Sequence, residues 1–558
     1  MTPHTHDVVP RPHWAAPSGK PPLSSRLMRA TWRGLPARQH EVGWEPGLEV
    51  PAADGSLLRT DHYFPRTEGD FPTLLVRSPY GRGVPWSPLF GVLFAEQGFH
   101  VVLQSCRGTA GSGGRFDLWR NEAADGQAAV SWLRQQPWFT GILGTIGPSY
   151  LGYVQWALAL DPPPELKAMV IQVGLHDPHA LFHAGGGFLL ENALAVGVGM
   201  TYQHQGMLPL LRAGLRLQRR MREITGARPL RGAYESALGE VPWLDGAMTH
   251  PDAGDPHWQG ASVAEAAEGL SVPTCLITGW HDGLAGQSFQ QFARLQRAGC
   301  ASSLLVGPWT HTSAMQQGWP EVFAESLAWL RAHLCGDPAG LRPTPVRVHV
   351  GGEDTWRDLD DWPPAPATTA WFPAENGTLS GQSPVADGPL ASLRYDPADP
   401  TPSVGGPSVS RSAGTRDNGT LEAREDVLTF TGPPLTEPVD VLGPVFARLR
   451  IATDTGHAEV FARLCDVDAR GRSTNICDGL MRVRTSGATP SEVTVAMADT
   501  AHRFAAGHRI RLQVSGGAHP RYARSPGTGE SSVEATRLQP VHLTVHSGSA
   551  LTLPQGNP

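Results

Sequence analysis

The sequence predicts an α/β fold that is interrupted by a helical insertion and followed by an all-β domain. Three observations carry this. In the first half, short apolar runs alternate with segments of helical periodicity. From His176 to about Glu265, strand signals become sparse and helical ones dominate. Beyond the Pro-rich stretch Trp362-Pro363-Pro364-Ala365-Pro366, apolar and polar residues alternate with period two.

The elements follow in order. Residues 1–40 are rich in Pro, His and Arg and lack periodicity, which predicts a loosely ordered N-terminal arm. Residues 73–77 and 99–103 are short apolar runs of the kind buried in a parallel sheet, with a helical piece at 89–97 between them. Residues 122–136 have helical periodicity through Ala124, Ala128, Val130, Trp132 and Leu133. A strand at 144–147 runs into an apolar helix at 150–160, in which Gln155 is almost the only polar residue, and a buried-type strand follows at 168–173. After the helical block, strand signals return at 274–278, 303–307 and 346–350, with helices at 287–298 and 322–334 between them. In the last third, Val445, Ala447, Leu449 and Ile451 alternate with other residues, as do Ile510, Leu512 and Val514, and Val541, Leu543 and Val545. This pattern predicts an antiparallel β-sandwich. The expected domains are 41–175 with 266–365, a helical cap at 176–265 inserted between them, and a β-sandwich at 366–558.

Bulk properties exclude several classes. The net charge is −7 and no basic stripe occurs, so nucleic acid is not an expected partner. No run of about 18 apolar residues exists, so no membrane span is expected. The N-terminus lacks the apolar core of a secretory signal. The six cysteines are widely and irregularly spaced, without a CxxC pair or a Cys/His cluster, so neither a metal site nor a disulfide framework is predicted. A reduced, cytoplasmic protein is expected.

The chemistry concentrates at three places. Gly147-Pro148-Ser149-Tyr150-Leu151-Gly152 joins the strand at 144–147 to the following helix, a turn that would lift the Ser149 hydroxyl clear of the sheet. The second glycine of such elbows usually lies two residues after the serine; here Leu151 holds that position. A serine needs a base, and the base needs an orienting acid. Gly279-Trp280-His281-Asp282-Gly283 and Gly307-Pro308-Trp309-Thr310-His311 each follow a later strand. They therefore supply an Asp and then a His at strand C-termini, where open α/β sheets bind ligands. Asp282 before Gly283 also fits an ordinary turn, and His281 competes with His311 but precedes Asp282.

These stretches, with Val76-Arg77-Ser78-Pro79-Tyr80, Gln104-Ser105-Cys106-Arg107-Gly108, Gln136-Pro137-Trp138, Tyr395-Asp396-Pro397 and Gly507-His508-Arg509-Ile510, resemble the CocE/NonD hydrolases. That group is cocaine esterase-like and related to X-Pro dipeptidyl peptidases and α-amino acid ester hydrolases. The resemblance implies an α/β-hydrolase domain, a helical cap and a C-terminal jelly roll of the galactose-binding-like type. It implies Ser149 as nucleophile, Asp282 as orienting acid and His311 as general base, with the Tyr80 hydroxyl and the Tyr150 backbone N–H holding the oxyanion. It accounts for the shifted glycine, because GxSYxG is the family's own form. Many relatives carry Asp where Ser105 stands; Ser105 cannot form the same ion pair with a nearby arginine, so either Arg107 is held differently here or a local salt bridge is absent.

The implied reaction is acyl transfer without cofactor or metal, on a small ester, amide or short peptide. Trp280, Leu284, Trp309, Phe182 and Phe188 are candidate pocket walls. Asp177 and Glu191 are candidate anchors for a free α-ammonium, as an X-Pro dipeptidyl aminopeptidase would need. An acyltransferase and a catalytically silent binding scaffold are further readings. The resemblance admits both monomer and homodimer.

Overall fold

A computed structural model describes residue 14 and residues 16–364, 367–383, 387–485 and 489–555. Residues 1–13 and 15 of the N-terminal arm, and residues 365–366 of the Pro-rich stretch, lie outside the described residues. The chain divides into two compact units: residues 1–170 with 326–341, and residues 171–325 with 342–558.

The first unit opens with α1 (Leu23–Thr31), a helix inside the stretch read as an irregular arm. Strands β1 (Val42–Pro51) and β2 (Leu57–Pro65) pair antiparallel. Then come β3 (Thr73–Ser78), a helical stretch at Ser87–Val92 that runs into α2 (Leu93–Ala95), β4 (His100–Ser105), α3 (Glu122–Leu133), β5 (Leu143–Pro148), α4 (Tyr150–Ala159) and β6 (Leu166–Gln172). The strand order is β1-β2-β4-β3-β5-β6. Strand β3 lies parallel to both β4 and β5, while β2 pairs antiparallel with β4. Strands β3, β4 and β5 are buried along their whole length, as their continuous apolar runs require.

Every residue of α4 is buried. That explains a helix with no polar face. Its exception, Gln155, is satisfied internally. Its amide donates to Leu151 O at 3.0 Å and Val170 O at 3.1 Å, and its carbonyl accepts from the Thr145 hydroxyl at 2.9 Å. One polar side chain thus ties the helix to β5 and β6, and each of its groups finds a partner.

The second unit begins with the helical block: α5 (Pro178–Phe182), a two-stranded hairpin of β7 (His183–Ala184) and β8 (Gly187–Phe188), α6 (Leu190–Tyr202), α7 (Met207–Gly226), α8 (Glu235–Leu238) and α9 (Pro242–Thr249). The α/β pattern then resumes with β9 (Thr274–His281), α10 (Ala285–Arg297), β10 (Ser302–Thr310), β11 (Val346–Val350) and β12 (Thr355–Leu359). Strand β10 lies parallel to β9 and β11, and β12 closes this group antiparallel to β11.

The remaining strands form an all-β domain. Its long last strand, Val541–Gln555, pairs antiparallel with four others: Ala367–Ala374, Pro389–Tyr395, Phe446–Thr453 and, at its end, Val439–Gly443. The expected alternation holds. Leu449, Ile451, Ile510, Leu512, Val514, Leu543 and Val545 all belong to one buried core. Trp362, at the Pro-rich stretch, is itself buried. It packs on Trp280 and Phe289, and its indole N–H donates to Asp499 at 2.9 Å. No helix of the described residues is long and apolar enough to cross a membrane.

Candidate active site

Ser149 stands between β5 and α4 with φ 58° and ψ −122°. A non-glycine residue in that region carries strain of about 1–3 kcal/mol, which persists only where its surroundings enforce it. Two features enforce it here. Gly147 has φ 156°, and a Cβ there would lie 2.5 Å from the Cβ of Leu151. Leu151, at the place where shorter elbows have glycine, therefore fits because Gly147 has no side chain. Tyr150 is fully buried and pinned: its hydroxyl donates to Glu122 at 2.9 Å and accepts from the Trp119 N–H at 3.3 Å.

Tyr80 follows β3, and its hydroxyl lies 3.4 Å from the Ser149 hydroxyl. Its ring stacks on Trp86 with centroids 5.3 Å apart. Burial pushes its pKa up to about 12, so at neutral pH it remains a phenol able to donate. The Ser149 hydroxyl and the Tyr150 backbone N–H oppose that rise. The latter is the first N–H of α4 and has no partner within the helix. The Tyr80 hydroxyl and the first N–H of α4 thus both lie beside Ser149.

Behind them lies a charged layer that the sequence did not single out. Buried Arg77 contacts Glu122 at 2.9 Å and donates to Gln104 at 3.0 Å. Glu122 thus joins Arg77 to the Tyr150 hydroxyl. The only sequence signal was an acid in the first turn of a helix. The Ser105 departure is resolved locally. Ser105 accepts from Arg82 at 2.6 Å, and Arg82 also reaches Asp61 at 3.1 Å. Arg107 is held instead by Asp125, in a two-pronged contact at 2.5 and 3.2 Å, and by Asp54.

In the second unit, Asp282 and His311 meet. His311 Nδ1 lies 2.9 Å from Asp282 Oδ1. The reason is strand register. Parallel pairing runs from Ser302 opposite Thr274 to Gly307 opposite Gly279, then shifts by one residue so that Thr310 lies opposite His281. The next residue on each strand is His311 and Asp282, so the two leave the sheet side by side. Glycines make room for this bulge: a Cβ on Gly279 would lie 2.3 Å from Trp309 O, and one on Gly307 would lie 2.5 Å from the Trp309 ring. Asp282 is buried, and it accepts from Thr278 Oγ1 at 3.2 Å and from Leu284 N–H at 3.1 Å. Its imidazole partner keeps 15 % of its side chain exposed. His281 turns elsewhere, with Nε2 3.1 Å from the Thr415 hydroxyl, and burial lowers its pKa to about 4.

The candidate wall residues are all buried and fall into separate groups. Trp280 packs with Phe289 and Trp362, and its indole donates to His349 O at 2.7 Å. Trp309 lies near Trp356. Phe182 packs with Trp243 and Trp258, and Phe188 with His183. Leu284 caps α10 beside Asp282. Asp177 caps α5 by accepting from His179 N–H at 3.0 Å, and Glu191 accepts from Ser410 and Ser412 at 3.2 and 2.6 Å.

Comparison with known proteins agrees with this layout. The family model of the X-Pro dipeptidyl-peptidases (S15 family) matches residues 54–313, and that of the X-Pro dipeptidyl-peptidase C-terminal non-catalytic domain matches residues 340–552. Cocaine esterase of Rhodococcus sp. (strain MB1 Bresler) is 33% identical over 531 residues, covering 86% of this chain and 92% of that protein. Among solved structures, an α-amino acid ester hydrolase superposes with a TM-score of 0.77 at 20% identity, covering 100% of both chains. A CocE/NonD family hydrolase from Staphylococcus aureus superposes with a TM-score of 0.69 at 17% identity, over 92% of this chain and 94% of that one. The elbow serine, the paired acid and histidine and this relatedness lead to one conclusion: the chain belongs to the CocE/NonD family of serine hydrolases, with an α/β-hydrolase catalytic domain, a helical cap and a C-terminal jelly-roll domain.

Proposed function

We propose that the protein hydrolyses carboxylic esters of modest size through an acyl-enzyme on Ser149. His311 takes the proton of the Ser149 hydroxyl as the oxygen attacks the carbonyl carbon. Asp282 holds the imidazole in the required tautomer and steadies its positive charge. The tetrahedral oxyanion is held by the Tyr80 hydroxyl and the Tyr150 N–H. His311 then protonates the leaving alcohol. Water repeats the sequence to free the acid and Ser149. No metal or organic cofactor enters these steps. In this reading the catalytic domain comprises residues 41–175 and 266–365, the cap residues 176–265, and the β-domain the remainder.

The observation that carries the proposal is the strained Ser149 backbone beside two hydrogen-bond donors. Strain at one residue, with donors aimed at it, has no structural use in a turn that glycine would fill without cost. Ester over X-Pro peptide is supported by the two acids considered as ammonium anchors. Asp177 is engaged as a helix cap and Glu191 by two serine hydroxyls.

The test is Ser149→Ala against an activated aryl ester. Turnover is expected to fall by at least about 10⁴-fold with the fold intact by circular dichroism. Near-normal turnover would reject the nucleophile. An X-Pro anilide measured in parallel separates the peptidase, since an esterase should leave it uncut.

A further inference from the structure

A cleft in the second unit plays no part in the mechanism above. It is lined by Thr225 and Arg228 at the end of α7 and by His519, Arg524 and Ser532 of the β-domain, among others, and its cavity is small, about 10 Å³, room for a particle little larger than a water. Two of its lining residues are arginines and none is an acid.

Elsewhere, buried arginines of this chain meet carboxylates: Arg77 meets Glu122, and both Arg463 and Arg521 meet Asp478. Arg524 differs. Its half-buried guanidinium donates to two neutral carbonyls, Pro397 O at 3.4 Å and Thr225 O. Burial, followed by the nearby charge of Arg228, pulls its pKa down. His519, with Nδ1 3.3 Å from Tyr522 O, is held at about 4 by burial and by Arg524. Arg228, exposed to solvent, and half-buried Arg524 thus bring like charge to one cleft whose lining holds no acid. Wall, charge and donors meet at one place in the fold.

We propose that this cleft binds a small anion between Arg228 and Arg524. The ligand is a halide, or the tip of one phosphate or carboxylate group. It would offset the repulsion between the two guanidiniums and accept from them and from the Ser532 hydroxyl. Because Arg228 follows α7 and Arg524 belongs to the β-domain, the anion would tie the end of the longest cap helix to that domain. A backbone bond, Arg231 N–H to Val533 O at 2.9 Å, already runs alongside.

The test uses the full chain exchanged into a gluconate buffer. Thermal melts are recorded with chloride, phosphate or acetate added at matched ionic strength. At least one anion should raise the melting temperature saturably, by about 3 °C, while gluconate does not. Which anion does so identifies the ligand as halide, phosphate or carboxylate. A melting temperature that follows ionic strength alone would overturn the proposal. Arg228 is exposed, so Arg228→Gln should fold normally. It should raise the half-saturating concentration about tenfold or more, as expected for one lost charged hydrogen bond. Arg524→Gln should abolish saturation, whereas Arg219→Gln, on the exposed side of α7, should match the wild type. Unchanged half-saturation in Arg228→Gln would place the binding elsewhere and sink the assignment.

Discussion

The two halves of the proposed catalytic apparatus are positioned by different physics. Ser149 is held by its own backbone: a strained φ of 58°, a glycine two residues before it, and a buried tyrosine next to it whose hydroxyl is tied to Glu122. Asp282 and His311 follow strands directly and are held by the register of β9 and β10 and by hydrogen bonds from Thr278 and Leu284. The first arrangement stores strain in one contiguous hexapeptide. The second stores none at its two residues and depends on a pairing between segments about thirty residues apart. Removing the functional group should therefore act differently in the two places.

The largest expected effect is on the second half. Asp282→Asn keeps the shape but offers His311 Nδ1 an amide in place of a carboxylate. Turnover of an aryl ester should fall by about 10⁴-fold. A loss of only tenfold would mean that the pair orients nothing. Next comes Tyr80→Phe, which removes one donor beside Ser149. It should lower kcat by about 10²-fold with little change in KM, because the bond strengthens on the oxyanion and not on the substrate. A change confined to KM would show that Tyr80 binds substrate instead. The smallest effect sharpens the comparison directly. Ser149→Gly should raise stability by about 1 kcal/mol in denaturant melts, because glycine adopts φ 58° without strain. Asp282→Asn should lower it, because Asp282 is buried and accepts three hydrogen bonds. If both variants were destabilised equally, the elbow would not be strained.

Much of the candidate site was legible because it is local. A hexapeptide that joins an apolar strand to an apolar helix carries its own geometry, and Tyr80 sits just beyond another such strand. Other parts were hidden for stated reasons. Glu122 reads as a helix-start acid until Tyr150 and Arg77 are folded onto it. Thr278 reads as a strand residue, and nothing in one chain says that its hydroxyl reaches the carboxylate four residues on. The aromatic residues chosen as pocket walls share a composition with the core, and Trp280 is packed between Phe289 and Trp362. The Ser105 substitution could be noticed but not interpreted. Its partner, Arg82, and the replacement partners of Arg107 come from segments remote in sequence.

The sequence by itself determined the alternation of strands and helices, the switch to period two, and the order in which the candidates Ser149, Asp282 and His311 follow their strands. Each of these rests on spacing within a short window, where covalent geometry and burial dictate the pattern. Only the tertiary structure decided the one-residue bulge that brings His311 beside Asp282, the partners of Arg77, Arg82 and Arg107, and the cleft that Arg228 and Arg524 share. Those depend on which distant segments pair, and pairing is a property of the whole packed chain.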